Sequence, residues 1–168
     1  MKKATIILAV IMTILCMNKE EKVIIPKEAI RFRVIANSDN KEDQQLKKKV
    51  VKELSKELTK TNNLTNIEET RNYLHNNLPT FEEIVENTLH NNDYKKSFHI
   101  NYGKNYFPEK EYQDVIYEEG EYESLVVTLG EGEGKNFWCV LFPPLCFMDK
   151  NENVEYKSFI KEIIKKYF

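Results

Sequence analysis

Ala4 to Met17 is apolar apart from Thr5 and Thr13, and the run stops abruptly at Asn18-Lys19-Glu20-Glu21-Lys22. Lys2 and Lys3 stand ahead of it as a short basic region. That layout fits the apolar region of a signal peptide, being shorter than the roughly 20 residues a membrane-spanning helix needs. No Ala-x-Ala cleavage site follows, so residues 1–17 read either as a cleaved leader or as an uncleaved N-terminal anchor. Both imply export. Cys16 follows Thr-Ile-Leu and lacks the small residue expected before a lipidated cysteine. Residues 18–27 read as a polar tether ending at Pro26.

Beyond the tether the apolar period becomes two. Ile30, Phe32 and Val34 point one way and Arg31 and Arg33 the other, which predicts a half-buried strand. Asn37-Ser38-Asp39-Asn40 then forms a turn cluster that doubles as a helix start, with Asp39 and Glu42 spaced as a capping box. The period changes to that of a helix, with Leu46, Val50, Leu54 and Leu58 on one stripe to about Lys60. Thr65 with Glu68 and Thr80 with Glu83 repeat the cap spacing and open two more helices, separated by Pro79. Phe98, Ile100 and Tyr102 alternate as a second strand. Tyr106 to Gly120 reads as a long connection or weak hairpin. Leu125–Leu129 and Phe137–Phe142 are the last strands, joined by Gly130-Glu131-Gly132-Glu133-Gly134, and Tyr156–Phe168 closes the chain as an amphipathic helix. The expected architecture is α+β: one two-layer domain over 28–168, a sheet of about four strands with helices on one face.

Composition narrows the function classes. The formal net charge is −2 and lysines are scattered among glutamates, with no one-signed field for nucleic acid. Only Arg31, Arg33 and Arg71 are arginines, so bidentate phosphate clamps are scarce. The glycine-rich loop runs from strand to strand and carries two glutamates, which fits a hairpin turn better than a phosphate cradle. His75, His90 and His99 fall in separate elements without ligand spacing, so no metal or other cofactor is expected. Ser38 and Asp39 lack a nucleophile-elbow context, and helix capping accounts for them. No catalytic residue is assigned and no enzyme activity is expected.

The stretch Phe137-Trp138-Cys139-Val140-Leu141-Phe142-Pro143-Pro144-Leu145-Cys146-Phe147 stands apart. In an exported domain Cys139 and Cys146 are a disulfide candidate, and two prolines between them can fold the chain back far enough. Two buried thiols are the alternative. The C-x6-C spacing in an apolar strand argues against redox catalysis or metal binding. Pro143 and Pro144 end the strand and leave Phe142 and Leu145 on a rigid turn. That turn reads either as an apolar knob for a protein partner or as core folded under the last helix.

Ile30 to Asp39, with Asp43-Gln44 and Leu46-Lys47, resembles the N-terminal signature of the stage II sporulation protein R family. Gly120-Glu121-Tyr122-Glu123, Gly130-Glu131-Gly132 and Trp138 to Cys146 are similar to its C-terminal signatures. The resemblance implies a protein made in the forespore and exported to the space between forespore and mother cell. There it would trigger a membrane-bound aspartic protease that processes the sigma-E precursor; the alternatives are an exported enzyme acting on cell wall or thiols, and a structural component of the spore envelope. It implies no catalytic residues, and membrane contact only through residues 1–17. Asn37, Ser38, Asp39, Phe142, Pro143, Pro144 and Leu145 are the expected contact residues for the protease.

Overall fold

A computed structural model describes residues 22–146 and 155–168. The leader-or-anchor segment, the tether up to Glu21 and Phe147 lie outside the described residues. In chain order the elements are β1 (Val23–Ile24), β2 (Ile30–Ile35), α1 (Lys41–Leu58), α2 (Ile67–Asn76), α3 (Leu78–His90), β3 (Phe98–Phe107), β4 (Lys110–Tyr112), β5 (Val115–Tyr117), β6 (Gly120–Leu129), β7 (Asn136–Phe142) and α4 (Tyr156–Tyr167). The fold is α+β, as expected, with a four-stranded sheet in the order β3-β6-β2-β7 and a small one in the order β1-β5-β4.

The predicted alternation of β2 is correct and places it inside the large sheet, parallel to β6 and antiparallel to β7. Ile30, Phe32 and Val34 meet Leu46, Val50, Leu54 and Leu58 of α1, Leu74 of α2 and Phe81, Val85 and Leu89 of α3 in one continuous core. Removing such side chains from water supplies the largest favourable share of folding, about 25 cal/mol per Å² of apolar surface. Arg71 ties α2 to the sheet: its Nε donates to Glu123 Oε2 at 2.8 Å.

Several local expectations shift when tertiary partners are present. The cap of α1 is Asn40, whose side chain accepts from the Asp43 N–H. Asp39 instead accepts from the Lys135 N–H at 2.7 Å. The cap of α2 is Asn66, and Glu69 reaches back to the Thr65 N–H at 3.0 Å, one position along from the predicted pair. Thr80 does not cap α3; Pro79 sits in its first turn, where a missing N–H costs nothing. The weak hairpin resolves as β4 and β5, turned by Gln113 and Asp114 at positive φ. Part of the expected tether is structured: Val23–Ile24 pairs parallel with β5, and Val23 and Ile25 are buried. Those residues join Ala29, Val115, Val140 and Ile160 in a second core beneath α4.

The glycine-rich loop is not a hairpin, because β6 and β7 flank β2 and do not pair with each other. Residues 130–135 must step across two strand spacings of about 4.8 Å each, over the end of β2. They press onto the departing chain: Gly134 N–H donates to Ala36 O at 2.9 Å and Glu133 N–H to Asn37 O at 3.1 Å. A Cβ on Gly134 would stand 2.3 Å from Ser38 O, whereas one on Gly103 would meet only ordinary contact. Gly134→Ala should therefore destabilise the protein by about 1–3 kcal/mol in urea denaturation, while Gly103→Ala leaves the midpoint nearly unchanged.

Candidate functional site

The turn after β2 is built around one carboxylate. Asp43, in the first turn of α1, accepts from Asn37 Nδ2 at 2.7 Å and from Ser38 Oγ at 2.6 Å. Asn37 Oδ1 in turn accepts from Lys96 Nζ at 3.0 Å and from the Glu131 N–H at 3.2 Å. Lys47 Nζ donates to Lys135 O at 2.7 Å, so α1, the turn and the crossing loop form one network. Burial by itself would raise the Asp43 pKa. The hydrogen bonds from Asn37, Ser38 and Asn40 and the charge of Lys96 outweigh it and hold the carboxyl below its ordinary value. Of the three contact residues expected here, Asn37 is buried, Ser38 is half-buried and Asp39 is exposed.

Cys139 and Cys146 form a disulfide with a Cα–Cα distance of 5.4 Å. Within the loop it closes, the Phe142–Pro143 peptide bond is cis. Leu145 N–H donates back to Val140 O at 3.2 Å. Phe142 is buried in the main core, with its ring edge-on to Tyr167 and Phe168 of the C-terminal segment. Pro143 and Pro144 are buried and Leu145 is half-buried against the second core. Of the two readings of this turn, the packing is that of core folded under the last helix.

The face of the large sheet opposite α1–α3 holds what sequence reasoning missed. The alternation sends Arg31 and Arg33 to a polar face, but Arg31 is only 2% exposed. Its guanidinium carbon lies 3.3 Å from the Tyr122 ring centroid and 5.2 Å from that of Phe107. Nη2 donates to Glu118 O at 3.2 Å, and the buried Nε has no hydrogen-bond partner. No carboxylate lies within ion-pair distance of Arg31 or Arg33 among the described residues. Burial lowers the Arg31 pKa, opposed by Tyr122, Tyr117 and Glu118, yet a guanidinium stays charged in protein interiors. Cation–π contact, about 2 kcal/mol when desolvated, offsets part of the cost of burying it. Arg33 stacks 4.5 Å from the centroid of Trp138.

Beside this face lies a cavity of about 820 Å³ between β7 and the small sheet. Arg31, Phe107, Tyr117, Trp138, Val140 and Tyr156 are among its walls, and Lys110, Glu111 and Lys135 also line it. β7 is the last strand of its sheet, and Asn136 to Cys139 carry no neighbouring strand on their outer side. The disulfide-closed turn covers that side only at Val140. Leu145 is therefore the one expected contact residue of the motif that reaches the cavity. The signal for this site was the pairing of two arginines with an aromatic-rich second half, Tyr106 to Trp138, which periodicity alone does not bring together.

No group of three or more His, Cys, Asp or Glu able to hold a metal is present among the described residues. No helix among them is long and apolar enough to cross a membrane. The family model described as stage II sporulation protein R (spore_II_R) matches residues 26–152. A curated relative, the stage II sporulation protein R of Bacillus subtilis (strain 168), is 42% identical over 133 residues, 79% of this chain and 59% of the relative. The chain thus spans about three fifths of that relative's length. No solved structure matches.

Two measurements follow from this geometry. The folded Asp43 pKa lies below the unfolded value of about 3.9, so its contribution is fully present above that pH and lost as pH falls through the folded pKa. Asp43→Asn should cost about 1.5–3 kcal/mol at neutral pH. The gap to wild type should close in acid, as read by urea denaturation across a pH series. Replacing both Cys139 and Cys146 with serine should lower stability by roughly 2–3 kcal/mol. A reducing agent should match that loss in wild type and leave the double variant unchanged.

Proposed function

Since this chain belongs to the stage II sporulation protein R family, we propose that it is an exported sporulation signal. It leaves the forespore through the apolar segment Ala4 to Met17 and reaches the space facing the mother cell. There it activates a membrane-bound aspartic protease that processes the sigma-E precursor. The observation that carries this reading is the family match over residues 26–152, which takes in the main core, the Asp43 network and the disulfide-closed turn. Activation requires no chemistry from the ligand. A protein that binds the active conformation of the protease more tightly than the inactive one shifts the population toward it by that difference in affinity.

The interior position of Phe142, Pro143 and Pro144 gives the stapled turn a positioning part in this reading. It fixes the end of β7 and the wall of the cavity beside it. Asp39, exposed at the other end of β2, remains available for direct contact.

Co-production of the full chain with the protease and the precursor in a host lacking sporulation genes tests the proposal. Cleavage is expected only when all three are present, and cleavage without this chain would remove its role. The double serine variant of Cys139 and Cys146 should still support cleavage at a temperature where it is folded.

A further inference from the structure

The cavity beside β7 has the chemistry of a peptide site. Its walls are mainly aromatic and apolar, which suits an extended chain that buries alternate side chains. Its charged members are Arg31, Lys110, Lys135 and Glu111. Glu111 is paired with Lys22 at 3.0 Å, and Lys135 is only loosely matched, 3.8 Å from Asp39. The uncompensated charge is therefore positive, and its deepest element is a guanidinium nine-tenths buried with an unpaired Nε. Asn136, at the start of β7, adds a buried Oδ1 that also lacks a partner among the described residues. Both residues are among the walls of this cavity. Buried polar groups are ordinarily satisfied, so two unpaired atoms in the walls of one cavity are a polar demand that a ligand's own groups can meet.

We infer that this cavity receives an extended peptide of a partner protein, which adds as a strand along the Asn136–Cys139 edge of β7 and directs an acidic side chain to Arg31. The inference rests on the reading that the protein acts by contact. An edge strand offers regularly spaced backbone donors and acceptors whatever the peptide's sequence, while Arg31 selects for the carboxylate. The rings of Tyr122 and Phe107 hold the guanidinium in place before the ligand arrives. The disulfide and the Leu145 to Val140 hydrogen bond close the edge beyond Val140, which sets where the added strand must stop.

The test uses the full chain and three capped peptides of alternating valine and threonine with a central glutamate, glutamine or lysine. Trp138, the sole tryptophan, lines the cavity and reports binding by its emission, with calorimetry as a second readout. The glutamate peptide should bind about tenfold or more tightly than the glutamine peptide, a difference of about 1.4 kcal/mol. Methylating its backbone amides should weaken binding. Arg31→Met should erase the preference for glutamate. Should that variant not fold, Lys110→Glu, on the exposed rim, should still weaken the glutamate peptide selectively. Equal affinities for glutamate and glutamine, no heat or emission change with any peptide, or displacement of the glutamate peptide by inorganic phosphate at equal concentration would overturn the inference. So would a dimer of this chain whose β7 edges occupy each other. Peptide binding without protease activation in co-production would keep the site and remove the signalling reading; the opposite pair of results would do the reverse.

Discussion

One strand buried on both faces organises this protein. β2 carries a regular alternation, and ordinarily one side of such a strand would be left to water. Here α1–α3 cover its apolar side, and aromatic residues from β3, β6 and β7 cover its arginines. Double coverage requires neighbours on both edges. The chain supplies them by carrying the connection from β6 to β7 across the end of β2. The Asp43 network is what holds that crossing, because it grips the turn leaving β2 and, through Asn37 and Lys47, the crossing loop as well. The glycines of the loop are there for the closeness of the approach: at Gly130 a Cβ would fall 2.3 Å from Asn37 Oδ1, and φ is +56°.

Much of this was legible in the chain wherever a local period decides the structure. The strand Ile30–Ile35, the stripe of α1 and the last amphipathic helix declare themselves because each buries one face of a regular element. The short strands β1, β4 and β5 do not, since two or three residues are too few to show a period and take their form from neighbours. The caps of α1 and α2 fell one residue later than their spacing predicted, and at α1 the reason is tertiary: Asp39 was drawn away by the Lys135 N–H, a partner 96 positions along the chain.

The candidate site was less legible than the fold. Spacing placed Cys139 and Cys146 correctly as a pair, because eight residues with two prolines constrain their own ends. The direction of Phe142 could not be read, because it depends on a helix whose arrival is a tertiary event. Arg31 was hidden still more deeply. Its burial follows from strand order, which no local pattern encodes, and its charge is stabilised by rings from Phe107 and Tyr122 that lie some 75 to 90 positions away.

Strand order also governs when the fold can be completed. β2 ends at residue 35, but the strands on its two edges begin only at residues 120 and 136. The helices between them rest on a sheet that does not exist until those late strands arrive. A chain emerging from its N-terminus therefore cannot assemble its main core until nearly all of it has been made, and closing so long a loop is slow. For a protein that the proposed function sends across a membrane, this delay is useful. On that reading, a topology completed only by its late strands keeps the polypeptide open during synthesis and leaves folding for the far side.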